Sequence, residues 1–237
     1  MKPRWRKVLA DLWGNLARFI LVTLSLTVGL FSVGMITGGY VTTLQDMSGG
    51  YQAIDPADLR INTENFGESL LERVKRLDGV TNVEGEKLFY AQVRSGEGEW
   101  KNMILQAIPE EGQTVDRIEL LEGEMPDDRE ILLDVHRDAG LSTGDSAILQ
   151  LPSGAIKALP VSGMVRDQTI GVSGTSYFVA PIHGYVPFES LPWLEQPQSY
   201  STILVRVDPA LSNEEVHALR DEITGLVEES GRVVSSV

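Results

Sequence analysis

Three rhythms of hydrophobic and polar positions follow one another along this chain. The first is a run from Phe19 to Gln45 without a single charged residue, opening Phe19-Ile20-Leu21-Val22 and staying mostly apolar through Val41. Its 27 residues exceed the roughly 20 that a helix needs to cross a bilayer core. A charge at mid-bilayer is costly, so an uninterrupted uncharged run of this length is informative. It predicts a transmembrane helix over 18–46.

The second rhythm is helical. Leu70, Leu71, Val74 and Leu77 fall on one face, and Asp78-Gly79 closes the segment. Val216, Leu219, Ile223, Leu226 and Val227 repeat the pattern near the C-terminus. There Ser212 and Glu215 have capping-box spacing, and Gly231 supplies the stop. Ahead of the membrane run, Trp5, Val8, Leu9, Leu12, Trp13 and Leu16 are also spaced for one helix face. Tryptophans on such a face suit the headgroup region, which predicts an amphipathic helix over 1–17 lying along the cytoplasmic side.

The third rhythm is alternation. It predicts strands over 57–62, 80–94, 100–108 and 202–207, the middle two joined by a turn at Ser95-Gly96-Glu97-Gly98. Strand–helix–strand units therefore occupy both ends of the segment after residue 46. Between them, 109–194 is rich in Gly and Pro, with short alternating runs at 130–133, 146–151 and 155–165. The predicted fold class is α+β. One N-terminal transmembrane helix is followed by an α/β lobe built from 51–108 and 195–237, with a mainly β lobe, 109–194, inserted. The whole outer domain is 47–237.

Charge sets the orientation. Lys2, Arg4, Arg6, Lys7 and Arg18 precede the apolar run against one acid, Asp11. The positive-inside rule then places the N-terminus in the cytoplasm and 47–237 outside the cell membrane. A cleaved signal peptide fits poorly, because its apolar region is shorter and ends in a small-x-small site. The remainder carries 15 cations against 33 acids, within an overall net charge of −14. So acidic a surface excludes nucleic acid as a partner and disfavours lying flat on anionic lipid. With no cysteine there is no disulfide framework, no thiolate zinc site and no thiol nucleophile.

Candidate chemistry is sparse. Neither a G-x-S-x-G elbow nor a phosphate-binding G-x-x-x-x-G-K-[ST] loop is present. Of the three histidines, only His136 has ligand-type neighbours, in Asp134-x-His136-x-Asp138. A strand end with a nearby cap is the simpler reading of that cluster, so no catalytic, metal or cofactor residues are assigned, no cofactor is expected, and the chain is not read as an enzyme. Gly34 and Gly38 form a G-x-x-x-G within the apolar run, a spacing that lets helices pack closely. The Gly171-Val172-Ser173-Gly174 loop and Trp193, in a segment with Pro187, Pro192 and Pro197, are candidate partner contacts; a plain connector and a lobe-packing tryptophan are the alternatives.

The order of several short motifs resembles a known family. Leu120-Leu121-Glu122-Gly123-Glu124-Met125-Pro126 is followed by Arg129-Glu130-Ile131-Leu132-Leu133-Asp134, then by Ala139-Gly140-Leu141-Ser142-Thr143-Gly144-Asp145, then by Val161-Ser162-Gly163-Met164-Val165. That order resembles the periplasmic core domain of MacB/FtsX-type ABC transporter permeases. The start, Arg6 to Asn15, is similar to the start of such permeases. The resemblance implies a permease subunit that pairs with a second permease subunit in the bilayer. It also implies a separate cytoplasmic ABC ATPase, whose hydrolysis moves the outer domain. Members of the family carry three further membrane helices and a coupling loop after the outer domain. The chain ends at Val237, so it is read as the N-terminal part of such a subunit or a truncated reading frame. The alternatives are a stand-alone, single-pass binding or sensor domain and a membrane-tethered hydrolase using Asp134 and His136.

Overall fold

The computed structural model describes residues 17–18, 20–35, 54–137, 139–170 and 181–236. The chain divides into two compact units, 1–50 and 51–237. In the first, 20–35 is helical with its side chains exposed. Among the described residues no helix is long and apolar enough to cross a membrane. The expected amphipathic helix (1–17) and the second part of the expected membrane helix (36–46) lie almost wholly outside the described residues.

Among the described residues, the second unit is built on ten strands and two helices. In chain order they are β1 (Leu59–Phe66), α1 (Glu68–Val74), β2 (Val80–Ser95), β3 (Lys101–Ile108), β4 (Glu119–Gly123), β5 (Ile131–Asp134), β6 (Ser146–Gln150), β7 (Ile156–Arg166), β8 (Ile182–Pro187), β9 (Tyr200–Val207), α2 (Asn213–Glu229) and β10 (Val234–Ser236). A single turn of 3-10 helix, Phe188–Ser190, follows β8.

The ends of the unit form one lobe. Its strands lie in the order β10-β1-β9-β2, each antiparallel to its neighbour. Hence β1-α1-β2 and β9-α2-β10 are both split strand–helix–strand units, each straddling a strand of the other. This is the ferredoxin-like arrangement, with a second lobe inserted between its second and third strands. One sheet face carries Ile61, Ile203 and Val205, and these pack with Leu70, Leu71 and Val74 of α1 and Leu219, Ile223 and Val227 of α2. Ser212 caps α2 as its spacing predicts: its hydroxyl accepts from the Glu215 N–H, and the Glu215 carboxylate accepts from the Ser212 N–H at 2.8 Å.

The inserted lobe is a closed barrel. Its ring runs β2-β3-β8-β5-β7-β6 and returns to β2. Two of the six contacts, β3 with β8 and β5 with β7, are parallel. Closure leaves no free edges in the ring. Inward residues from every strand fill it, including Val93, Leu105, Ile131, Leu149, Leu159 and Val186, all without solvent exposure. Burying each such side chain contributes about 1.5–3 kcal/mol. The β-rich part therefore begins inside β2 rather than at residue 109. The first half of that strand pairs with β9, and from Lys87 onward it pairs with β3.

The four motifs that carried the family resemblance lie in this lobe, three in the barrel and its connections and the first on β4, which pairs with β7 outside the ring. Gly123 on β4 faces Gly163 on β7. A Cβ at Gly123 would lie 2.1 Å from the Ser162 carbonyl oxygen, and one at Gly163 would lie 2.4 Å from that of Glu122. The two strands meet this closely only because both positions lack a side chain. Residues 131–134 are β5, buried along its whole length. Leu141 plugs the barrel core, while the Asp145 carboxylate accepts from the Ser142 N–H and tightens the turn into β6.

Candidate functional site

The second face of the ferredoxin-like sheet is polar, which follows from strand alternation. Arg60 on β1, Leu204 on β9 and Glu84 on β2 are cross-strand partners, so they share that face, and Glu86 lies two residues along from Glu84. The connection between β3 and β4 folds back over them. Glu84 receives three bonds from this connection: the Thr114 N–H at 2.5 Å, the Thr114 hydroxyl at 2.8 Å and the Val115 N–H at 3.0 Å. Arg60 bridges the two lobes, donating to Glu86 at 2.7 Å and to Asp116 at 2.6 Å. Asp116 has a left-handed backbone (φ 51°) and also accepts from the Ala57 N–H at 2.9 Å. Asp55 is held by Arg117 at 2.7 Å and by Arg206.

A second buried cluster lies beside the first, at the base of the barrel. The Asp134 carboxylate, 1% exposed, accepts from the His136 N–H at 2.7 Å and the Asp167 N–H at 2.8 Å, and sits 2.8 Å from His136 Nδ1. Asp167 accepts from the Thr169 N–H and hydroxyl, both at 2.7 Å, and from the Tyr185 hydroxyl at 2.5 Å. Burial and the neighbouring Asp167 push the Tyr185 phenol well above its ordinary value. Burial pushes the His183 imidazole down, against the opposing pull of Asp167 and Asp134. Burial likewise raises Glu84, Glu86 and Asp116; hydrogen bonds at Glu84, the Arg60 charge at Glu86, and the Ala57 N–H followed by the Arg60 charge at Asp116 only partly offset it.

The arrangement is a polar lock. Donors from the chain itself hold both oxygens of Asp116, Asp134 and Asp167 and one oxygen each of Glu84 and Glu86, and both aspartates of the second cluster are sealed from solvent. Among the described residues no three His, Cys, Asp or Glu side chains are placed to hold a metal ion. The first cluster ties β1 and β2 of one lobe to the 113–118 segment, and the second ties the ends of β5 and β7 to β8 within the barrel lobe.

The candidates from sequence fall as follows. Gly34 lies in the described helix, and a Cβ there would meet nothing within 4 Å. Gly38, Asp138, Gly171, Ser173 and Gly174 lie outside the described residues. Trp193 packs half-buried against the barrel core, its ring between Arg129 (5.4 Å) and Lys157 (4.8 Å). Asp134 and His136 do meet, within the buried cluster just described. Arg60, Glu84, Glu86, Asp116 and Asp167 were not singled out from the sequence. A signal existed for two of them: Glu84 and Glu86 alternate with Val83 and Gly85 on what reads as a half-buried strand, and paired acids there demand partners.

No family model matches the chain, and no curated protein matches it. Solved structures do resemble it. The extracellular domain of a noncanonic ABC-type transporter, YknZ, from Gram-positive bacteria is 16% identical, with a TM-score of 0.52, covering 75% of this chain and 100% of that one. The periplasmic region of MacB from Actinobacillus actinomycetemcomitans is 13% identical, with a TM-score of 0.50, covering 81% of this chain and 94% of that one. The chain carries the fold of a MacB-like periplasmic core domain.

Proposed function

We propose that the chain is the N-terminal part of an ABC transporter permease subunit, anchored by one membrane helix over 18–46, with 51–237 outside the cell membrane. A separate cytoplasmic ATPase hydrolyses ATP, and paired permease subunits convert its closure into movement of the outer domains. The work is done on a substrate or partner outside. The observation that carries this reading is the two-lobed fold, a ferredoxin-like lobe with an inserted closed barrel, resembling the outer domains of two ABC-type transporters. The uncharged run behind five cations supports the anchor and its direction.

The absence of cysteine makes the test direct. Glu97→Cys, in the exposed β2–β3 turn, should react with a membrane-impermeant maleimide in intact cells, whereas Lys2→Cys should react only after lysis. In the complete transporter reconstituted with its ATPase, nitroxides at Glu97→Cys on paired subunits should shift their separation between the nucleotide-free and the vanadate-trapped states. Labelling in the opposite sense would overturn the orientation. Unchanged separations would overturn the coupling.

A further inference from the structure

The first half of β2 has one neighbour only. Residues 80–86 pair with β9, while β3 joins from Lys87 and leaves after Ile108, so among the described residues the outer edge of 80–86 pairs with no strand. The Val83 N–H is taken up by the Asn82 side chain at 2.9 Å instead. A groove runs beside this edge. One part, about 490 Å³, is lined by Leu71 and Lys75 of α1, by Asn82, Val83 and Glu84 of β2, and by Tyr200. An adjoining part of about 420 Å³ shares the 109–112 wall and Phe188-Glu189, and continues to Met125, Pro126 and Asp127.

The floor is apolar and aromatic. Phe188 and Tyr200 stack with ring centroids 4.9 Å apart, and Tyr200 reaches its place only because Gly85 has no side chain, where a Cβ would lie 2.4 Å from the ring. The rim is acidic: Glu68, Glu110, Glu111, Asp127 and Glu189 are exposed there, and Lys75 is the one cation among the described lining residues. An unpaired strand edge offers backbone hydrogen bonds to an extended chain, here once the Asn82 side chain yields the Val83 N–H, and pockets on either side select alternate residues of that chain. Here those pockets ask for apolar anchors and positive charge.

We propose that the free edge of β2 at 80–86 and the acidic groove beside it form a docking site for an extended, basic segment of a partner protein. The segment adds a strand to β2. Alternate side chains seat on Phe188 and Tyr200, and the others meet the acidic rim. The proposal rests on the groove itself and holds whether or not an ATPase drives the domain.

The test uses the full chain in neutral detergent at physiological salt. Its probe is a fluorescein-labelled decapeptide of alternating arginine and leucine, read by anisotropy. Binding should weaken at least tenfold in Glu110→Lys/Glu111→Lys. It should change less than twofold in Glu97→Lys/Glu99→Lys, which alters net charge equally at the opposite end of β3. N-methylation of alternate peptide nitrogens should also weaken binding at least tenfold. Both variants change exposed loop residues, and melting confirms that they fold. Absent binding, equal weakening in both variants, or indifference to N-methylation overturns the proposal; the last two indicate diffuse charge attraction alone.

Discussion

Single residues at the lobe junction work against their own charge. Glu84 is 8% exposed, and burial raises its carboxyl despite three donated hydrogen bonds. A carboxyl with a raised folded value binds more protons folded than unfolded. Stability linked to it is therefore greatest below the ordinary carboxylate value of about 4.5 and declines as pH rises through the folded value. Glu84→Gln keeps an acceptor for Thr114 and Val115 and removes the buried charge. The melting temperature of the variant relative to the parent should become more favourable as pH rises above about 4.5 and level off above the folded value. A difference that becomes less favourable over that range would show that the ionised carboxylate stabilises the junction. His183 has the opposite sign: its lowered value means that protonation below about pH 6.5 opposes folding.

Elements differ in how far their sequence announces them. The capping box at Ser212, the apolar faces of both helices and the alternation of β9 are local patterns, and the structure holds the corresponding elements. The partner of a strand is not a local property. Nothing between Val80 and Ser95 says that pairing passes from β9 to β3 at Lys87, or that β3 pairs in parallel with β8, some 75 residues later. The junction was hidden for the same reason. Arg60, Glu86 and Asp116 meet only after the chain has closed on itself, and each alone reads as a solvated charge. Gly163 gives a sharp test at this scale. Gly163→Ala places a Cβ against the Glu122 carbonyl and should cost about 1–3 kcal/mol. For a unit of this size that corresponds to a fall in Tm of roughly 2–12 °C. Gly225→Ala, inside α2 with nothing within 4 Å, should raise stability by about 0.5–1 kcal/mol. Equal effects at the two sites would contradict the close approach of β4 and β7.

At the scale of the molecule, the two lobes of 51–237 should unfold together, because β2 is a member of both and the polar lock joins them. Leu149→Ala in the barrel should cost about 2–5 kcal/mol. Its effect should appear equally in tryptophan fluorescence, where Trp100 and Trp193 report the barrel lobe, and in helical circular dichroism, where α2 reports the other lobe. Coincident transitions are the mark of one cooperative unit; a shift in fluorescence alone would mean two. The unbroken course of β2 has a consequence for reach. At about 3.3 Å per residue, its 16 residues span up to about 53 Å, and a rotation of about 10° at its first residue would sweep its last through about 9 Å. A strand that crosses both lobes without a break is thus a pointer. Its tip, the Ser95–Gly98 turn, travels furthest when its root, beside the irregularity between Val80 and Asn82, is turned.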